Sequence, residues 1–466
     1  MRFASAVCLL LVAVVGFPVV RASADVESRI ISAIGWINGQ KVSNVEYVGF
    51  ARGNDPDTNR TVFVEDQALV ALALSDYHST HNDDRYDNLL NVAARFINSA
   101  RTPRGDFYEY YDLRTGRWLH AGDFYSWNAY AIAGLAAAAY KISSKDYSQR
   151  TFWFPIEAKL KQSVTIFLGN QRDDGAWAFH GTSTTAREAL TRENAVFLVG
   201  LLYLGLFESQ WGSPEQARLY GQLAEKTATW IFSVQENNTA LATFGGFPHS
   251  DTNSTQLSEE NGEVLWGVDT YYSTIGVLLP QPSPSIWDAR RAMADWVSGF
   301  AEKMRDSYGG PYNGRTSTSL NEYPKTTRGA AWMLQALVDI WINLGGPRYY
   351  DNSQKSYDWI VGGNELGAEL QQASSISGVQ GGFYESISAG TVDRTSRTDV
   401  TASALYAFVR SAFVQVPEFP RIGAILVFFA AVFGVLVLTR RKIRNGYERA
   451  SSCVWQLSSP LEQLQV

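Results

Sequence analysis

The chain has 466 residues, 45% hydrophobic, 18% charged and 13% aromatic, which supplies ample core and excludes intrinsic disorder. Its formal charge is −6; between residues 25 and 416, without the basic residues near the two ends, the balance is −11. Such a body repels phosphate backbones, so nucleic acid is not the expected partner.

Taken in chain order, residues 1–24 come first. Arg2 gives a positive start, residues 6–20 are almost wholly apolar, and Ala22-Ser23-Ala24 offers small residues at a cleavage point before Asp25. This pattern predicts a secretory signal peptide. The body at 25–416 has no cysteine, since Cys8 and Cys453 lie outside it, so stability must come from core burial and thiolate zinc sites are excluded. Asn59, Asn237 and Asn253 begin Asn-x-Ser/Thr sequons compatible with surface loops of a glycoprotein.

Within the body one unit recurs six times: an amphipathic helix, a loop of glycine and aromatics, then a helix of small and apolar residues. The loops centre on Gly49, Gly105, Gly175, Gly246, Gly310 and Gly382, at steps of 56, 70, 71, 64 and 72 residues. First helices carry one-sided patterns, as in Leu89, Val92, Ala93, Phe96 and Ile97, or Met293, Trp296, Val297 and Phe300. Second helices, at 68–74, 129–139, 195–204 and 402–409, are apolar all round, as burial on every side requires. The expectation is an all-α fold, an (α/α)6 toroid of six helical hairpins with an outer amphipathic and an inner apolar ring. An open solenoid is the competing architecture, but its repeats are shorter, about 34 to 47 residues.

After the body, 417–421 reads as a Pro-Glu-Phe-Pro linker. Residues 422–438 are an uncharged apolar run followed by Arg440, Arg441, Lys442 and Arg444. That predicts one C-terminal transmembrane helix over 422–439 and a basic cytoplasmic tail over 440–466, leaving the body extracytoplasmic at the cell membrane. Pro417-Glu418-Phe419 with the apolar span and basic cluster resembles archaeal Pro-Glu-Phe sorting signals, although the chain runs on past the basic residues to Val466. That resemblance implies an archaeal cell-surface protein and a sorting protease as partner.

Gln171-Arg172-Asp173-Asp174-Gly175-Ala176-Trp177 matches the Gln-x-x-Asp-Gly-x-Trp loop of squalene-cyclase-like toroids. The resemblance implies structural roles for Gln171, Asp174, Gly175 and Trp177. The layout also resembles six-hairpin glycosidases and related polysaccharide lyases. No Asp-x-Asp-Asp proton donor of the terpene cyclases occurs, nor a thioester, phosphate loop or Gly-x-Ser-x-Gly elbow.

In a toroid, residues leading into each inner helix converge at the cavity mouth. On that basis the candidate catalytic carboxylates are Asp66, Glu193, Asp269 and Asp399, and the candidate substrate-binding residues are Trp127, Asn128, Trp177, Trp266, Tyr271 and Arg328. Paired carboxylates can protonate a glycosidic oxygen and activate water, and aromatic faces can stack on sugar rings. Acidic residues at helix starts are also ordinary caps. A helix N-terminus favours ionised carboxylates, so these positions suit a base or nucleophile better than an acid. No histidine pair has metal-ligand spacing on a recognisable helix, and nothing calls for a cofactor. Two readings follow: a membrane-anchored carbohydrate-active enzyme, hydrolase or lyase, or a non-catalytic surface toroid that binds glycans or serves adhesion.

Overall fold

In the computed structural model the described residues are 25–44, 46–53, 59–121, 126–178, 188–283, 303–372 and 381–415. The expected signal peptide, linker, transmembrane helix and basic tail lie outside them, as does the outer helix expected around Met293, Trp296, Val297 and Phe300. Among the described residues no helix is long and apolar enough to cross a membrane.

Eleven described helices alternate between two rings. The outer ones are α1 (25–39), α3 (Asp87–Ser99), α5 (Arg150–Phe167), α7 (Pro214–Val234) and α10 (Pro347–Ile360). The inner ones are α2 (Val64–His81), α4 (Ser126–Lys145), α6 (Thr191–Trp211), α8 (Ser258–Leu278), α9 (Thr327–Leu344) and α11 (Thr398–Gln415). The inner helices are buried on nearly every face, which is why their sequences show no polar stripe, whereas α3 buries Leu89, Leu90, Ala93, Phe96 and Ile97 and leaves its other side to solvent. Consecutive inner helices pack in order from α2 through α4, α6 and α8 to α9.

Helix α11 closes the ring. Arg328 of α9 meets Asp399 of α11 at 3.3 Å, and Arg410 of α11 spans Asp339 of α9 (2.5 Å) and Asp76 of α2 (3.6 Å). Lys141 of α4 completes this lower ionic girdle on Asp76 at 2.7 Å. At the seam between the first and last repeats, the Thr398 amide donates to the Arg52 carbonyl (2.7 Å) and its hydroxyl to the Ala51 carbonyl (2.5 Å). The repeats therefore form a closed toroid and not an open arc.

The inner helices approach closely because small residues face each other. A Cβ on Gly134 of α4 would lie 2.7 Å from the Ala68 carbonyl oxygen of α2, and one on Gly267 of α8 would lie 2.6 Å from that of Ala195 on α6. Both obstacles are backbone and cannot rotate away. Gly134→Ala is expected to destabilise the fold by about 1–3 kcal/mol through overpacking, despite the better helix propensity of alanine, and denaturant unfolding will show it.

Five of the six loops that lead into an inner helix are held by the same device. The backbone N–H of the loop aromatic donates to an amide or hydroxyl side chain in the first turn of the inner helix: Phe50 to Gln67, Phe107 to Asn128, Trp177 to Asn194, Phe247 to Asn261 and Phe383 to Thr401. Gln67, Asn194 and Asn261 also donate back to the same residue's carbonyl. In the fifth repeat Pro311 has no N–H to satisfy, and apolar Ala330 stands where the clamp would be.

The fold is not purely helical. Short strands collar the mouth: β1 (Lys41–Ser43) with β2 (Val48–Phe50); β3 (Thr61–Phe63), β4 (Tyr108–Asp112) and β5 (Arg117–Ala121) in the order β3-β4-β5; β6 (Gln256–Leu257), β7 (Gly314–Arg315) and β8 (Leu320–Asn321) likewise; and β9 (Lys325–Thr326), β10 (Tyr384–Ser388) and β11 (Thr391–Ser396) in the order β11-β10-β9. The β3–β4, β6–β7 and β9–β10 pairs are antiparallel and join the loop before one inner helix to the loop before the next. Single bridges, Leu190 to Ser250 and Gly53 to Arg397, extend the collar.

Candidate functional site

Inside the collar, the N-terminal turns of the inner helices bring charge to the centre of the ring. Arg328, the second residue of α9, projects among four neighbouring inner helices. Its Nη2 reaches Glu65 of α2 (2.8 Å), Tyr130 of α4 (3.1 Å) and Glu263 of α8 (3.0 Å); Nη1 reaches Asp399 of α11 (3.3 Å) and Nε meets Glu259 (3.1 Å). Only a rigid planar fork that stays charged when buried can serve so many partners. The Tyr130 hydroxyl donates in turn to Glu263.

Three further guanidinium groups surround this hub. Arg397 grips Asp399 through Nη2 (2.8 Å) and Nε (3.1 Å) and donates to Glu385 (3.0 Å). Arg192 donates to Glu193 (3.1 Å) and faces Glu263 at 3.8 Å. Arg52 approaches Asp66 (3.5 Å) and Asp399 (3.9 Å) without the geometry of a close hydrogen bond. At the rim His249 pairs with Glu260 at 2.8 Å, and that bond raises the imidazole above its ordinary range.

The carboxyl groups fall into two classes. Burial pushes Asp66 up to about 7; neighbouring Asp399 and Glu65 add to the rise, and Arg52 offsets only part of it. Burial likewise pushes Glu263 up to about 7, with Glu259 adding and Arg328 and Arg192 opposing. Burial acts in the same direction on Glu65 and Asp399, but there the arginines win: Arg328, Arg192 and Arg52 hold Glu65 low, and Arg397, Arg328 and Arg52 hold Asp399 low. One mouth thus contains carboxyl groups pushed up toward neutrality by burial beside carboxyl groups held low by arginines.

Of the four carboxylates expected from sequence, Asp66, Glu193 and Asp399 converge here. Asp66 and Asp399 meet through Arg52, and the contacts of Glu193 and Asp399 are guanidinium groups, not the N–H cap bonds that helix starts often form. Asp66 differs from the expected ionised base in that burial pushes its carboxyl up to about 7. Asp269 does not belong to the mouth. Helix α8 starts at Ser258, eleven residues before it, so Asp269 lies in the helix's second half, where it accepts from Asn343 near the end of α9 at 2.7 Å.

The same correction moves Trp266 and Tyr271 into the wall. Trp266 is buried, donates to Tyr406 (3.1 Å) and packs on Trp332; Tyr271 is buried beside Phe232. Trp177, also buried, donates to Thr227 of α7 at 2.7 Å, the structural tie that the loop resemblance implies. Gln171 donates to the Gly175 carbonyl and Asp174 accepts from the Ala176 amide, closing that loop. Asn128 is the clamp on Phe107, and Trp127 donates to the Phe107 carbonyl at 2.9 Å. Only Arg328 of the expected binding residues sits at the centre.

Sequence reasoning passed over Glu263, Tyr130 and Arg52. Glu259 and Glu263 are four apart, one face of a helix, which was a usable sign once the start of α8 was known. Tyr130 lies in an otherwise apolar run and gave none. Among the described residues no group of three or more His, Cys, Asp or Glu side chains has the arrangement of a metal site; arginines balance these carboxylates.

No known protein family matches the sequence, and no curated protein does. Solved structures share the fold. Cellobiose 2-epimerase from Spirochaeta thermophila superposes with a TM-score of 0.61 at 12% identity, over 86% of this chain and 98% of that one. A D-mannose isomerase gives 0.63 at 12% identity, over 83% and 97%. An α-mannanase of Bacteroides thetaiotaomicron gives 0.57 at 13%, over 84% and 96%. The chain thus shares the (α/α)6 toroid fold of these structures.

Proposed function

We propose that the protein is a carbohydrate-active enzyme that hydrolyses glycosidic bonds at the toroid mouth, with Asp66 as proton donor and Asp399 as the ionised partner that activates water. The observation that carries this reading is a pair of buried carboxyl groups that share Arg52 at 3.5 and 3.9 Å, one pushed up by burial and the other held low by arginines. The division of roles is that of glycoside hydrolysis, where one carboxyl must hold a proton and its partner must not. The structural neighbours named above, an epimerase, an isomerase and a mannanase, favour a sugar as substrate. The carboxylates at the mouth outnumber the guanidinium groups, which favours a neutral saccharide over a polyuronate and hence hydrolysis over elimination.

The body at 25–416 is proposed to work outside the cell. In this reading 1–24 is a removed leader, 417–421 a linker, 422–439 the membrane anchor and 440–466 the cytoplasmic tail, with a sorting protease as a processing partner. The exposed positions of Asn59, Asn237 and Asn253 accord with such a location.

The test is a screen of the full-length protein against neutral and acidic polysaccharides, with assays for both reducing ends and unsaturated products. Reducing ends from a neutral polysaccharide are expected, and Asp66→Asn and Asp399→Asn should each lower the rate by roughly a hundredfold or more. Activity unchanged in both variants would remove the assigned pair. A second reading has its own observation: Arg328 fills the centre of the ring, and Asp66 and Glu263 have no exposed surface. Glycan binding without turnover would mark a non-catalytic binding toroid.

A further inference from the structure

Arg52 is held firmly by its backbone and loosely by its side chain. Its N–H donates to the Thr61 carbonyl (3.0 Å) and its carbonyl accepts from Thr398 (2.7 Å), so its Cα is fixed at the seam of the ring. The guanidinium is different. Its ion pairs are long, 3.5 Å to Asp66 and 3.9 Å to Asp399, and its buried Nε has no hydrogen-bond partner among the described residues. Neither oxygen of Asp66 has one either, although the side chain is wholly buried. Three unsatisfied polar atoms in one place are costly unless something else completes them.

The guanidinium carbon lies over the Phe63 ring, 3.9 Å from its centroid. Phe63 is half-buried and is backed by Tyr110, its partner in the β3–β4 register, with ring centroids 4.9 Å apart and planes 29° from parallel. The pocket occupied by this side chain therefore offers an aromatic face on one side and carboxyl oxygens at the edge.

We infer that the Arg52 side chain is a displaceable stand-in for a neutral pyranose ring, and that Phe63, Asp66 and Asp399 form a sugar subsite once it swings out. A pyranose reproduces both features: an apolar C–H face for Phe63 and hydroxyl edges that donate to and accept from the Asp66 carboxyl. Because the guanidinium's ion pairs are long, its departure breaks no well-formed hydrogen bond. This inference rests on the saccharide reading above and specifies where the ring sits.

The experiment is calorimetric titration of the full-length protein with neutral hexasaccharides of gluco, manno and galacto configuration. Phe63→Leu keeps the apolar volume but removes the flat face, and it should weaken binding about tenfold, the loss of roughly 1.4 kcal/mol. Arg52→Ala removes the competitor and should bind the same sugar as tightly as the parent or more tightly. Unchanged affinity in Phe63→Leu, or loss of binding in Arg52→Ala, overturns the subsite while leaving the functional reading in place. Failure of the parent protein to bind any of the sugars overturns both.

Discussion

Arg328→Met is expected to lower folding stability by about 3–5 kcal/mol at pH 8, the cost of breaking a buried ion pair by removing one partner. The substitution keeps most of the apolar stem but leaves Glu65, Glu263 and Asp399 facing one another without their common cation. Glu65 and Asp399 are held below their ordinary range by arginines that include Arg328. A depressed carboxyl group contributes stability that is present above its unfolded pKa and is lost as pH falls through its folded one. The deficit of the variant should therefore be largest at neutral and alkaline pH and should shrink toward pH 4 as the orphaned carboxylates take up protons. Denaturant midpoints at pH 8, 6 and 4 measure this. Equal midpoints for both proteins at pH 8 would mean that the hub is not part of what holds the ring.

Asp66→Asn should do the opposite. The folded protein holds the Asp66 proton until about pH 7, whereas the unfolded chain releases it near the ordinary aspartate value of 3.8. Between those values folding takes up a proton, so this group makes stability fall as pH rises, and the full penalty is present above pH 7. A proton held over that interval is worth about 4 kcal/mol. Asparagine removes the ionisation but leaves amide donors to satisfy, at about 1–3 kcal/mol. The net expectation is stabilisation by about 2 kcal/mol at pH 8, and a flatter stability profile between pH 4 and 7. In the functional reading the same variant is inactive, a stability–activity exchange at a single side chain. A variant less stable than the parent at pH 8 would show that the Asp66 carboxyl is not an energetic burden to the fold.

The ring itself was legible because repetition is written in residue spacing. Six glycine-centred loops at near-equal steps, followed by all-round apolar runs, mark the inner helices correctly. The collar was not legible, because strands of two to six residues, such as Gln256–Leu257 against Gly314–Arg315, pair with partners far away in sequence and have no room for a period-two pattern. The site was legible in part. Asp66, Glu193 and Asp399 each lie just before an apolar run that the sequence locates, and all three reach the mouth. Asp269 was misplaced because it was assigned to the segment leading into the inner helix, whereas that helix already begins at Ser258 with the polar turns Ser258 to Glu263. Protonation was beyond sequence: the opposed states of Asp66 and Asp399 depend on which of four arginines each one meets.

The join between Thr398 and Ala51 links positions 347 residues apart. A nascent chain emerging in order can stack its hairpins one on another, each on its predecessor, but the free flank of α2 stays uncovered until the last helix has been synthesised. Completion of the body consequently waits for α11, and the earliest-made hairpin waits longest for its second neighbour. A chain truncated before residue 398 would carry an apolar flank at each end of the stack, an open edge suited to association with other copies.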